Sequence, residues 1–318
     1  RLMREGQTNL ATYAFEAFVR DYEADRRAAD AHYYLALLNR RAGKVDAALK
    51  HLASVKRPLY VSDAAVRLIR GQLQLESGDA KSALAEFKAI KLDELTDNDS
   101  RATWHYLTGV AYRKTGDNDA AAKQFALASE AESSVRGHAM LELGKARAAM
   151  KQYPQALEAL TDVPETDAPA AHKAEARRLA GEIAFELKQY EQSAALFRSV
   201  LDKHGETGEA MPARIGLLRA LLAAGQNEQV IEQHKKLADA LPAEVVGEGW
   251  YLRAAAHVRL KQYDQAIAAL EQFSRRTQPD HPLGDRATYL AGLCLYHTDP
   301  GKYEAWYVST KPTGRQLP

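Results

Sequence analysis

The chain has 318 residues, 46% of them hydrophobic and 27% charged, with 43 Lys and Arg against 42 Asp and Glu. A net charge of +1 gives no long-range field to gather nucleic acid or an anionic membrane, so any electrostatic recognition must be local. A single cysteine, Cys294, excludes an internal disulfide and the zinc sites built from several thiolates, and no apolar run approaches the ~20 residues that span a bilayer.

The chain opens RLMREGQTNL, without an initiator Met and without the charged-then-apolar pattern of a signal peptide. From there, turn residues fall at Gly6, Gly43, Gly78, Gly116, Lys151, Lys188, Gly225 and Lys261, at intervals of 37, 35, 38, 35, 37, 37 and 36. Three copies are nearly the same words: KQYPQALEAL from Lys151, KQYEQSAALF from Lys188 and KQYDQAIAAL from Lys261. Self-similarity at a period of a few tens of residues is the signature of a repeat array.

Seven residues before the turn stand Ala36, Gly71, Gly109, Gly144, Gly181, Leu218 and Ala254, nearly all small. Nine after it stand Phe15, Leu52, Phe87, Phe125, Leu160, Phe197, His234 and Leu270, nearly all large and apolar. Small residues such as Ala48, Ala83 and Ala121 recur five after the turn, and the steps of four put both sets on one helical face. Each repeat therefore reads as two antiparallel helices, A before the turn and B after it. The small residue in A is expected where the backbone of B approaches, with the large residue of B plugging into the next pair. Each repeat then buries its apolar face only against a neighbour.

This phase makes residues 1–28 the second helix of a repeat whose first helix lies mostly upstream, 29–283 seven repeats, 284–309 a partial C-terminal repeat and 310–318 a tail. Leu10, Phe15 and Phe18 would then present an apolar face at the N-terminal end, which implies self-association there.

YLTGVAYRKTGDNDAAAKQFALA (106–128) and LELGKARAAMKQYPQALEAL (141–160) resemble tetratricopeptide repeats. In that family a Trp or Leu, a Gly and a Tyr mark helix A, and Ala, a large apolar residue and Ala mark helix B. Gly109, Tyr112, Ala121, Phe125 and Ala128 match residue by residue, and Trp250 fills the aromatic slot of the seventh repeat. The resemblance implies an all-α fold, an α-α superhelix of stacked helix pairs. The period is longer than the family's usual one, and the proline that commonly closes a repeat is mostly missing.

Nothing in the sequence assembles a catalytic site. The ten His residues show no HExxH spacing, and the GxSxG, GxxxxGK[ST] and GxGxxG motifs are all missing. Cys294 and His297 lie one helical turn apart, but two ligands do not close a metal site, so Cys294 reads as core. His234 occupies a large apolar slot and reads as core as well. The expectation is a non-enzymatic protein without metal or cofactor.

The resemblance implies that A helices line a concave face, at the slots 13, 10, 6, 3 and 2 residues before each turn. Tyr33, Tyr106, Arg178 and Tyr251 occupy slot 10, Lys145 slot 6, Phe185 slot 3, and Arg40, Arg41, Arg113, Lys114 and Arg259 slots 3 or 2. Aromatic and Arg groups are the usual anchors of interfaces. Basic residues in a last turn also complement the helix dipole, worth ~0.3–1 kcal/mol without any partner. The family's clamp for a C-terminal carboxylate uses Lys and Asn, where this chain has Tyr33 with Leu37 and Tyr106 with Val110.

The resulting expectation is a scaffold that binds a protein or peptide, with no nucleic-acid binding and no membrane insertion. Stretches such as LKQYDQAIAALEQF resemble repeats of bacterial envelope proteins in outer-membrane assembly, polymer export or cell-wall synthesis, which implies a periplasmic or outer-membrane-associated setting. The alternatives are a cytoplasmic regulator or assembly chaperone gripping a client peptide, and the interaction arm of an enzyme whose catalytic domain lies outside this chain.

Overall fold

Seven of the eight predicted turn residues lie within the computed structural model, which describes residues 7–237, 241 and 243–310; Gly6 and the tail from 311 fall outside. All seven have positive φ: Gly43 (72°), Gly78 (91°), Gly116 (90°), Lys151 (59°), Lys188 (59°), Gly225 (76°) and Lys261 (58°). At each, the next residue's N–H donates back five residues into helix A, as in Lys44 to the Asn39 carbonyl (2.9 Å), Gln152 to Arg147 (2.9 Å) and Gln262 to His257 (2.9 Å). This is the Schellman end of a helix, which demands a left-handed residue and so explains the recurrent Gly.

The turns separate α-helices, and no strand occurs among the described residues. One compact unit, Arg1–Ala168, holds α1 (Thr8–Asp21), α2 (Ala28–Arg41), α3 (Val45–Ala53), α4 (Asp63–Glu76), α5 (Ala80–Lys88), α6 (Asn98–Lys114), α7 (Asn118–Glu130), α8 (Arg136–Ala149) and α9 (Tyr153–Asp162). A second, Pro169–Pro318, holds α10 (Ala170–Glu186), α11 (Tyr190–His204), α12 (Ala210–Ala223), α13 (Asn227–Leu237), α14 (Ala243–Arg259), α15 (Tyr263–Arg276), α16 (Gly284–Thr298) and α17 (Pro300–Thr310). Side chains start several of these helices: Ser62, Asp79, Asp97 and Asp117 each accept from the backbone N–H three residues on.

Within each unit a helix packs on its sequence neighbours, and each A helix also meets the next A helix, α2 on α4, α4 on α6 and α6 on α8, then α10 on α12, α12 on α14 and α14 on α16. That double contact is what stacks helix pairs into a solenoid. The apolar interior is accordingly a series of small clusters, one joining Ala36, Ala48 and Leu52 of a repeat to Val66 and Leu73 of the following A helix.

The small slot in helix A is filled differently from expectation. A Cβ placed on Gly71 would lie 2.4 Å from the Phe87 ring, on Gly109 2.7 Å from Phe125, on Gly144 2.4 Å from Leu160 and on Gly181 3.0 Å from Phe197. The large residue of the repeat's own B helix therefore occupies the space, rather than the B backbone. Phe197 also reaches forward, since a Cβ on Gly216 of the next A helix would meet its ring at 2.5 Å. Small and large slots are thus two halves of one packing unit.

Candidate functional site

In the first unit, Tyr33 of α2 is half-buried, packed on the cluster around Ala36 and Ala48 and edge-on to Tyr34 at 5.6 Å. Tyr106 of α6 is likewise half-buried, 6.0 Å from the Phe125 ring and 6.2 Å from His138. Burial pushes both phenols up from their usual range, with Tyr34 adding to the effect on Tyr33 and Glu142 to that on Tyr106. Both rings are anchored in place and present only part of their surface.

The basic slots fall into two kinds. Arg40 Nε donates to Glu76 Oε1 at 2.8 Å, tying the end of α2 to the end of α4. Arg113 of α6 lies 3.0 Å from Glu142 Oε2 of α8, and Lys145 Nζ reaches Glu142 Oε1 at 3.2 Å, so one mostly buried carboxylate holds two predicted cations. Arg41 and Lys114, adjacent in sequence to Arg40 and Arg113, are exposed and have no carboxylate partner among the described residues. Leu37, Leu38, Arg40, Arg41 and Glu76 line an open groove of about 610 Å³.

In the second unit, Arg178 of α10 bonds Glu182 at 2.6 Å on its own helix and Glu209, just ahead of α12. Arg219 of α12 makes a two-pronged bond to Glu248 of α14, its Nη2 at 2.7 Å from Oε2. Arg259 of α14 is exposed and donates to the Leu222 carbonyl at the end of α12. Phe185 and Tyr251 are half-buried against the unit's core, Phe185 5.3 Å from Tyr190.

Three of these pairs share a spacing that slot counting missed. For Arg113, Arg178 and Arg219 the acid sits 29–31 residues on, about two helical turns earlier in the frame of the next repeat. Asp30, 13 residues before Gly43, is buried and accepts from the Leu59 and Tyr60 N–H groups at 3.0 Å each, pinning the loop after α3. The readable signal for these three would have been an acid spaced one repeat less two turns from the Arg, whereas the acid of Arg40 lies a full repeat on.

At the N-terminal helix, Leu10 and Tyr13 are 52% and 66% exposed, whereas Phe15 stacks on Tyr34 (5.4 Å) and Phe18 on Tyr22 (5.3 Å). Only part of the expected apolar face is therefore open. Cys294 is fully buried, its thiol pushed up to about 11 by burial, and His297 stacks on Tyr263 at 4.6 Å instead of facing it. No group of three or more metal-ligating side chains occurs among the described residues, and no described helix is long and apolar enough to cross a membrane.

Comparison with known proteins agrees with this geometry. A family model described as tetratricopeptide repeat matches residues 1–60, 70–135, 141–209 and 251–305. No curated protein matches the chain. Among solved structures, the C-terminal part of a TPR repeat-containing protein from Cytophaga hutchinsonii is 14% identical with a TM-score of 0.51, covering 90% of this chain and 96% of that one. A tetratricopeptide repeat protein from Parabacteroides merdae is 13% identical (TM-score 0.49; 84% and 98% covered). YrrB, a TPR protein with an unusual peptide-binding site, is 20% identical (TM-score 0.49; 63% and 95% covered). With its turns, packing slots and most of its length matched, the chain belongs to the tetratricopeptide repeat family.

Proposed function

We propose that this interaction scaffold recognises a protein or peptide partner through the inner slots of its A helices, without catalysis. The observation that supports the reading most is the division among the basic slots. Arg40 and Arg113 are committed to Glu76 and Glu142, while Arg41 and Lys114 stand exposed beside them with no carboxylate partner among the described residues. The committed pairs hold the frame, and the uncommitted cations, with the anchored rings of Tyr33 and Tyr106, are the groups a partner meets. Phe185, Tyr251 and Arg259 extend the same kind of surface in the second unit. The repeat spelling favours a bacterial envelope setting, periplasmic or outer-membrane-associated, and the exposed Leu10 and Tyr13 add a self-association surface.

Replacing Tyr33 and Tyr106 together with Ala is expected to weaken partner binding by ~2 kcal/mol or more, as truncating interface anchors does. Binding of a partner first captured from envelope and cytosolic fractions, then purified, measures the effect. Unchanged affinity would move the functional surface to the outer face or the loops.

A further inference from the structure

Near the end of α15, three cationic or titratable groups gather around one ring. The guanidinium carbons of Arg253 and Arg276 lie 5.3 and 5.4 Å from the centre of the Trp250 ring, and His234 meets that ring edge-on at 4.6 Å. His234 is 0% exposed, and neither of its nitrogens has a hydrogen-bond partner among the described residues.

Neither arginine has a carboxylate among the described residues, unlike Arg40, Arg113, Arg178 and Arg219. Arg253 Nε faces His257 Nε2 at 3.5 Å, and His257 Nδ1 is itself engaged with Gln262 Oε1 at 2.7 Å. Arg276 gives Nη1 to the neutral Gln272 amide. Arg253 is half-buried, and burial lowers its pKa. Arg253 is thus a half-buried guanidinium with no carboxylate on it among the described residues, an arrangement that an incoming carboxylate would stabilise.

A guanidinium lying over an aromatic face keeps its in-plane N–H edge available, and that edge matches a carboxylate in a two-pronged bond. Two guanidiniums around one ring suit two neighbouring carboxylates better than a single tetrahedral anion. Trp250 and Arg253 sit 11 and 8 residues before Lys261, outside the inner slots, so the cluster is separate from the proposed groove. We propose that Arg253 and Arg276, carried on Trp250, bind the side-chain carboxylates of an acidic protein segment. The proposal rests on the scaffold reading for the source of that segment, and its test does not involve the groove.

The test titrates a capped tetraglutamate peptide into the full chain, following heat and the Trp250 indole N–H resonance, with inorganic phosphate at matched ionic strength as a second probe. Saturable peptide binding that shifts the Trp250 signal is expected, weakened about tenfold by Arg253→Gln or Arg276→Gln. Arg286→Gln, an exposed arginine of the same unit, serves as the charge control and is expected to change affinity by less than about twofold. Arg276 is exposed, so its variant decides the matter even if Arg253→Gln lowers stability. Equal affinity in the double variant, an equal loss in Arg286→Gln, or binding of phosphate but not peptide would overturn the proposal. Tyr33→Ala/Tyr106→Ala is expected to bind the peptide normally, which separates this site's failure from that of the groove.

Discussion

The α4–α5 pair of the first unit and the α12–α13 pair of the second fill the same packing slots with different residues. In α4 the slot seven before the turn is Gly71, and Phe87 of α5 fills the space. In α12 the same slot is Leu218, and nine residues after the turn α13 has His234, whose ring lies against Gly249 and Trp250 of α14. All three side chains, Phe87, Leu218 and His234, are 0% exposed, so both junctions are closed. Phe87 brings only carbon to the junction, whereas His234 brings two nitrogens that find no partner among the described residues. The repeat frame thus requires both slots to be buried and leaves their size and polarity to the individual repeat.

The largest expected effect sharpens that contrast from the apolar side. Phe87→Ala should leave a void between Gly71 and Ala83 that the helices cannot close, costing about 3–5 kcal/mol. Urea denaturation of wild type and variant would show it as a lower midpoint, and a loss under about 1 kcal/mol would mean the slot tolerates collapse.

The next effect comes from the polar side and is visible against pH. Burial, reinforced by Arg253 and Arg276, lowers the His234 pKa to about 4, whereas the unfolded chain titrates near 6.5. The unfolded state therefore binds the proton first. The contribution of neutral His234 is complete above about pH 6.5 and is lost as pH falls toward 4, by up to about 3 kcal/mol. His32, His51, His204 and His257 are shifted in the same direction, so the informative quantity is the difference between wild type and His234→Leu. The variant's stability should fall less between pH 6.5 and 4.5. It should also be higher at pH 7, because two unsatisfied buried nitrogens are gone. Parallel pH curves would contradict the assignment.

The smallest effect tests whether the ion pairs between successive A helices matter as packing does. Arg219→Gln breaks the bond to Glu248, but the arginine side chain is about half exposed, so a loss of only about 0.2–1 kcal/mol is expected. A loss comparable to Phe87→Ala would make electrostatics, not slot filling, the main link between repeats.

The turns and the small slots were legible because each is a backbone or volume demand that few residues meet. A left-handed turn selects Gly and tolerates Lys151, Lys188 and Lys261, and a helix facing a ring selects Gly71 or Gly109. What fills the small slot was not legible, since Phe87 could in principle face its own A helix or the next one. Phe197, lodged between Gly181 and Gly216, does both. At the candidate site, slot counting found the basic residues but not their fate, because Glu142, Glu209 and Glu248 lie two turns away in the frame of the following repeat. Trp250 and Arg253 were missed as a pair because they fall outside the inner slots, although their spacing of three already puts them on one helical face.

The central claim is that the uncommitted cations recognise a partner while the committed ones hold the frame. Its most direct test is Arg41→Glu/Lys114→Glu, with association rate and melting temperature measured on the same preparation. Slower association with a purified partner and a flatter salt dependence are expected, at an unchanged melting temperature. A lowered melting temperature with association intact would assign Arg41 and Lys114 to the helix ends and contradict the account.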